Sequence, residues 1–370
     1  MREPLAGMIA LVTDLVAERA ESWDRDGLLP QELLRKLAAS GVLCPEVAPT
    51  HGGVGLSSLH NGELTAHVGS LCGSVRSVMT SQGMAAWTIH RLGSGEQQTS
   101  YLPRLAGGDL AAVALSEPHA GSDLSAMSTQ IRVEGDSVVL DGHKVWVTAA
   151  HYADLILVIG RYREGAAAVV VPATTPGVTV ARIADPLGCR AAGHADVHLD
   201  SVRLPVDSVL GGAGQSLPLL VTSVLAYGRV SVAWGCVGIL RACLTAAARH
   251  ARSREQFGKP LSDHQLVSAH LAELFVSEQV STRVCEHASR CWDSGVADMV
   301  IATVLAKHVS AGNAARGAAS AVQILASAGA RDSHVVARAY RDAKLMEIIE
   351  GSNELCQLML ARHVVAGHDD

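Results

Sequence analysis

No basic face is written into this chain. Thirty Lys and Arg residues stand against 36 Asp and Glu, a formal net charge of −6. Binding nucleic-acid phosphates needs a surplus of cations on one face, so nucleic acid is not an expected partner. No Cys-x-x-Cys pair occurs among the eight cysteines, Cys44, Cys72, Cys189, Cys236, Cys243, Cys285, Cys291 and Cys356. The 17 histidines are dispersed, and none pairs into a recognisable metal-ligand motif. No metal site or disulfide framework is expected, and the cysteines read as small buried apolar residues. No segment reads as a membrane span. Met8 to Val16 is apolar but short, carries Asp14 and runs into Glu18, Arg19 and Glu21. It lacks a basic leader and a small-residue cleavage site, so it reads as an amphipathic helix. A cytoplasmic location follows by default. Internal repeats and low-complexity tails are missing, lysine is limited to five residues, and aromatics make up 3% of the chain.

What is present is apolar bulk. At 370 residues and 48% hydrophobic content the chain can build a large core in two or three units. Three regions differ in pattern. Residues 1–110 read as a helical domain. Leu11, Leu15 and Val16 recur at helical spacing, as do Leu33, Leu34, Leu37 and Ala38, which end at Gly41 as a plausible C-cap. Pro45 to Leu56 holds Pro49, Gly52, Gly53 and Gly55 and must be a loop; helical pattern resumes from Leu59. Residues 111–212 read as a β unit. Ile131, Val133, Val138, Val139 and Leu140 flank the turn at Glu134-Gly135-Asp136, and short β-branched runs follow, which predicts an antiparallel β-domain. Residues 213–370 return to long helices. Leu266, His270, Leu271, Leu274, Phe275 and Glu278 form one stripe, and Ile301 to Ala326 is rich in alanine, which predicts a four-helix bundle. The fold class is α+β, mainly α.

Three stretches are locally unusual. Ser116 to Asp123 is either an ordinary polar loop or one that offers hydroxyls and N–H groups to a ligand. Arg252 to Pro260 is either a solvated basic turn or an anion site, followed by Ser262 or Asp263 as a candidate cap for the next helix. In Ile348-Ile349-Glu350-Gly351-Ser352-Asn353-Glu354 a glutamate follows two isoleucines. A carboxylate in an apolar setting has a raised pKa, which suits a general base near neutrality. The alternative is an exposed Glu350 at a helix end capped by Gly351.

In order along the chain, these stretches resemble the acyl-CoA dehydrogenase family. Pro45 to Leu56 is similar to its proline-to-GG-x-GL segment. Ala114 to Asp123 is similar to ALTEPxAGSD, and Gly142 to Thr148 to GxKxWIT. Arg254 to Gly258 matches RxxFG, and Gln323-Ile324-Leu325 and Arg341-Asp342-Ala343-Lys344 precede Glu350-Gly351. The resemblance covers almost the whole chain. It implies an N-terminal helical domain, a middle β-domain and a C-terminal four-helix bundle, with FAD between the last two. It also implies that Ser116, Ser122, Trp146 and Thr148 contact the flavin and ribityl end. Arg254, Gln256, Phe257 and Gln323 would reach FAD across a subunit interface, with Ser352 and Glu354 in the segment that approaches it. Glu350 would remove the α-proton of an acyl thioester while the β-hydrogen leaves as hydride to the flavin. Hydrogen bonds from a ribityl hydroxyl and the Glu350 N–H would stabilise the enolate-like charge.

The chain also departs from the family pattern. Ala326-Ser327-Ala328-Gly329 stands where many members have GGxG, and His119 where many have a small residue. The few aromatics offer no stretch for a long acyl chain, and His51, His60, His119 and His151 suggest a small, polar substrate. The short length and arginine bias resemble dehydrogenases that make hydroxymalonyl- or methoxymalonyl-ACP extender units for polyketides. There, oxidation of a glyceryl-ACP would give an enediol that tautomerises to an aldehyde. A short-chain acyl-CoA dehydrogenase of catabolism is the alternative. A monooxygenase of the same fold, many of which lack the glutamate, and a non-catalytic scaffold are further readings. The resemblance implies a homodimer or homotetramer, and an electron-transferring flavoprotein or oxygen as electron acceptor.

Overall fold

The computed structural model describes residues 2–212 and 214–367; Met1, Ala213 and His368 to Asp370, which the expected domain ranges include, lie outside the described residues. Six helices come first: α1 (Arg2–Val16), α2 (Ala20–Asp26), α3 (Gln31–Ala39), α4 (Ser58–Leu71), α5 (Gly73–Leu92) and α6 (Gly95–Gly107). The apolar stripe of α3 is buried at Leu33, Leu34, Leu37 and Ala38. Gly41, just past its end, takes φ 76° and donates its N–H to Ala38 O, as a helix-ending glycine does. Ser94 and Gln97 close a capping box that starts α6. The Pro45 to Leu56 segment is a loop with one short 3₁₀ turn, closed by Leu56 N–H donating to Pro45 O at 2.8 Å.

A seven-stranded sheet follows: β1 (Ala111–Ala114), β2 (Gln130–Glu134), β3 (Ser137–Val147), β4 (Leu155–Tyr162), β5 (Gly165–Pro172), β6 (Val178–Arg182) and β7 (Ala195–Pro205). The strand order is β1-β4-β2-β3-β7-β6, with β5 paired to β4. Four of its pairings are antiparallel, as expected. Two are parallel, because β4 returns beside β1 and the start of β2 after the long β3 excursion. The β3–β7 register slips between Lys144 and Val147. Trp146 sits in that irregularity with φ 55°, so its side chain leaves the regular alternation.

The C-terminal bundle packs α7 (Leu217–Ser253), α8 (Gln265–Ser294), α9 (Met299–Leu325) and α10 (Val335–Met346), and α11 (Asn353–Ala366) lies against α9. Between α7 and α8 the short strands β8 (Glu255–Gln256) and β9 (Lys259–Pro260) form a hairpin. Helix α7 is the one described helix long and apolar enough to cross a membrane, yet 72% of its most apolar window is buried inside the protein. Its apolar surface is used in packing. The α8 stripe divides: Leu274 and Glu278 are buried, whereas Leu266 and Phe275 are exposed, at 82% and 53%. Neither Ser262 nor Asp263 caps α8; its N-cap position is His264, without a side-chain cap. Seven of the eight cysteines are buried, and all eight are free thiols.

Candidate active site

Glu350 lies in the turn between α10 and α11 with φ 57°, a conformation that non-glycine residues adopt at a cost. Helix α10 already ends at Met346, so Gly351 is not its cap. The carboxylate faces α7 at Gly228, where a Cβ would stand 2.2 Å from Glu350 Oε2. Any larger residue at position 228 would collide with it. Oε2 is buried and accepts no hydrogen bond among the described residues. Burial raises the carboxyl to about 7, against the opposing pull of Arg229, Lys307 and Arg76. This is the buried alternative of the two readings of Glu350.

The turn itself is held by two cations. Arg229 Nε donates to Glu350 O at 3.1 Å. Lys307, whose residue is fully buried, donates to Gly351 O at 2.7 Å and to Asn353 Oδ1 at 3.1 Å. Ile348 and Ile349 N–H both donate to Leu345 O, and Asn353 N–H to Glu347 O. The Glu350 N–H has no backbone acceptor among the described residues. Ser352 caps α11 by accepting from Leu355 N–H, and Glu354 is exposed in its first turn. Arg229 and Lys307 escaped the sequence reading. The available signal for Lys307 was a lone lysine inside an alanine-rich helix.

The second cluster gathers at the β3 end. Lys144 and Glu117 form a fully buried ion pair at 2.7 Å. Glu117 also accepts from Ser128 N–H, Ser128 Oγ and Thr129 N–H, and Lys144 donates to Leu115 O. Burial would raise the Glu117 carboxyl, but the hydrogen bonds from Lys144, Thr129 and Ser128 outweigh it and hold it down to about 2. Ser116 O accepts from Val145 N–H, which ties the loop to β3. Ser116 is thereby half-buried and Ser122 exposed at the loop's outer bend. Trp146 is 55% exposed beside this loop's anchor strand. Thr148 Oγ1 lies 3.3 Å from His194 Nδ1.

The third group does not join these within one chain. Arg254 is the exposed C-cap of α7, and Gln256 and Phe257 stand on the exposed β8–β9 hairpin that follows, Phe257 at 96% exposure with φ 51°. Gln323 is exposed near the end of α9. Ala326, in the place noted for its lack of glycine, takes φ 51° and ψ −129°.

A cavity of ≈ 170 Å³ lies between the Cys44–His51 loop, α5 and α7. Glu46, His51, His90 and Tyr227 supply its polar walls, with Trp87 and Leu102 among the apolar ones. Asn61 Nδ2 donates to Glu46 Oε1 at 2.6 Å and to Tyr227 Oη at 3.0 Å. Burial raises Glu46 to about 7, with the Asn61 hydrogen bond opposing it. Tyr227 precedes Gly228 on α7, but neither Gly228 nor Glu350 is among the residues that line this cavity.

Three family models span this chain: acyl-CoA dehydrogenase N-terminal domain over residues 6–109, middle domain over 112–202 and C-terminal domain over 219–365. The chain belongs to the acyl-CoA dehydrogenase family. A probable acyl-CoA dehydrogenase of Bacillus subtilis (strain 168), YngJ, is 31% identical over 95% of this chain and 94% of that protein. The solved structure of FkbI, described as acting in biosynthesis of the methoxymalonyl extender unit of the Fk520 polyketide immunosuppressant, is 63% identical. It covers 97% of this chain and 99% of that one, with TM-score 0.93. A glutaryl-CoA dehydrogenase of Mycobacterium smegmatis in complex with FADH2 is 28% identical with TM-score 0.93, over 99% of this chain and 94% of that one. As a member of the acyl-CoA dehydrogenase family, the protein is an FAD-dependent oxidoreductase acting on CH–CH donors. Its residues suit a flavin: an exposed tryptophan is set out of a strand by a bulge, and hydroxyls and a buried unpartnered nitrogen of Arg229 lie in the surrounding clusters.

Proposed function

We propose that this protein dehydrogenates a small, polar acyl group carried on an acyl carrier protein, in the making of a hydroxymalonyl or methoxymalonyl extender unit. The observation that carries this reading is the polar-walled cavity between the Cys44–His51 loop, α5 and α7. It is small, and four of its lining residues can hydrogen-bond. A polar acyl group can hydrogen-bond to such walls, which a long hydrocarbon cannot. The 63% identity to FkbI supports the same reading.

In this reading Glu350 takes the α-proton. Its raised pKa makes the ionised form a competent base near neutrality, and the orphaned Oε2 is the atom free to accept the proton. The Glu350 N–H, held by the Arg229 and Lys307 anchors on the neighbouring carbonyls, donates to the thioester oxygen as charge develops there. Ser116, Ser122, Trp146 and Thr148 hold the flavin on the β side, and Ser352 and Glu354 lie in the segment beside it. The flavin, when bound, supplies the hydride acceptor. Arg254, Gln256, Phe257 and Gln323 serve the flavin of a second copy; their exposure in one chain supports that division. Exposed Leu266, Phe275, Val276 and Val280 on α8 support a homodimer or tetramer. An electron-transferring flavoprotein is the proposed acceptor and the cytoplasm the proposed location.

Anaerobic flavin absorbance tests the proposal. Glyceryl-ACP is expected to bleach the flavin where propionyl-length and longer acyl-CoAs do not. Bleaching by acyl-CoAs with no preference for the carrier protein returns the enzyme to ordinary acyl-CoA oxidation.

A further inference from the structure

His194 ends the segment before β7 and is nearly buried, at 7% exposure. Its carbonyl is fixed by Ile183 N–H at 2.9 Å. Its ring packs 5.9 Å from the Trp146 ring and places Nδ1 3.3 Å from Thr148 Oγ1. Nε2 is buried and has no partner among the described residues. Thr148 is held from its other side, since its carbonyl accepts from Ser81 Oγ at 3.0 Å. Burial, and then Arg76, lower the imidazole to about 4, so the ring is neutral and carries one proton.

Which nitrogen holds that proton follows from the two partners. A proton on Nε2 would leave a buried N–H donor with nothing to accept it, and orphaned buried N–H groups are rarer than under-used acceptors. A proton on Nδ1 instead donates to Thr148 Oγ1 and leaves Nε2 as a bare lone pair. A hydroxyl that already accepts from the imidazole keeps its own proton for another acceptor. Among the described residues Thr148 Oγ1 has no second partner.

We infer that His194 is a positioning residue that turns Thr148 into a hydrogen-bond donor toward the flavin ring. The inference rests on Thr148 facing the flavin, as the reading above has it. The reduced ring is the more electron-rich form, so a donated hydrogen bond favours reduction. Nothing in this role needs His194 to touch the substrate.

The test is the reduction potential and visible spectrum of the purified holoenzyme, with FAD affinity from apoprotein titration. His194→Leu is expected to make the potential more negative, shift the flavin bands and weaken FAD binding roughly fivefold, the worth of one hydrogen bond. Thr148→Val is expected to do the same, and the double variant to add nothing further. His194→Asn, whose amide replaces the Nδ1 side of the ring, should restore the native values; His194→Gln, which replaces the Nε2 side, should not. If His194→Leu fails to fold, the Asn and Gln variants carry the comparison. Equal shifts in those two overturn the inference, as does a shift in Thr148→Val with none in His194→Gln. A silent Thr148→Val also overturns it by removing Thr148 from the flavin, whereas the base and substrate reading is judged separately by bleaching.

Discussion

Glu117 and Glu350 are both carboxylates taken out of water, and they are treated in opposite ways. Glu117 receives a lysine and three further hydrogen bonds, and its carboxyl is held down to about 2. Glu350 receives none on Oε2 and is raised to about 7, with its cations spent on the backbone of its own turn. Solvation by the protein makes the first carboxylate permanently charged and therefore structural. Withholding that solvation makes the second a proton acceptor. The contrast teaches that burial alone does not mark a base; burial with an unused oxygen does.

The largest expected effect is on Glu350. Glu350→Gln should keep FAD bound and lower the rate of flavin bleaching by about 10³-fold or more, within or above the usual worth of a general base. In the native enzyme the reductive rate should rise with pH and level off above about 7, because only the ionised carboxylate accepts a proton. The same substitution should not lower the melting temperature at pH 8. Unchanged bleaching in Glu350→Gln would move the base elsewhere and dissolve the comparison.

Breaking the other carboxylate's environment should cost stability instead. Lys144→Met strands Glu117 in the interior without its cation, a change of about 3–5 kcal/mol for buried pairs. Denaturant midpoints measure it, and FAD loss should accompany it because Glu117 anchors the loop carrying Ser116 and Ser122. Adding Glu117→Gln should recover part of the loss. A Lys144→Met penalty no larger than that of an exposed pair, about 0–1 kcal/mol, would mean that the pair is not what holds the loop.

Much of the architecture was legible because its patterns are local. The stripe of α3, the Pro45 to Leu56 loop and the β-branched runs of the sheet all report on near neighbours. The parallel pairings of β4 were not legible, since alternation says nothing of which strand lies alongside. At the site, two isoleucines before Glu350 suggested burial. The wall that creates it is Gly228 on α7, far away in sequence. Glu117 and Lys144 each lay in a noted stretch, yet nothing local says that they meet. The α8 stripe misled in part, because Leu266 and Phe275 sit at helical spacing for a face that a single chain leaves uncovered. Glu46, Asn61 and Tyr227 were missed altogether; a polar floor assembled from a loop and two helices has no sequence period.

Glu46 sharpens the comparison from between its extremes, with one good hydrogen bond, from Asn61 at 2.6 Å, and a carboxyl raised to about 7. Its unfolded-state value is near 4.5, so between 4.5 and 7 the unfolded chain has lost the proton while the folded protein keeps it. Native stability therefore falls as pH rises through that window and is level above it. Gln is close in shape to the protonated form and keeps an oxygen for Asn61. Glu46→Gln should thus be nearly silent at pH 5 and more stable than the native protein at pH 8, by about 1 kcal/mol after allowing for the open side of the cavity. Melting temperatures of the two proteins at both pH values measure this. A gain of equal size at pH 5 and pH 8 would show that Glu46 does not change charge in that interval, and would place it with Glu117 rather than between the two.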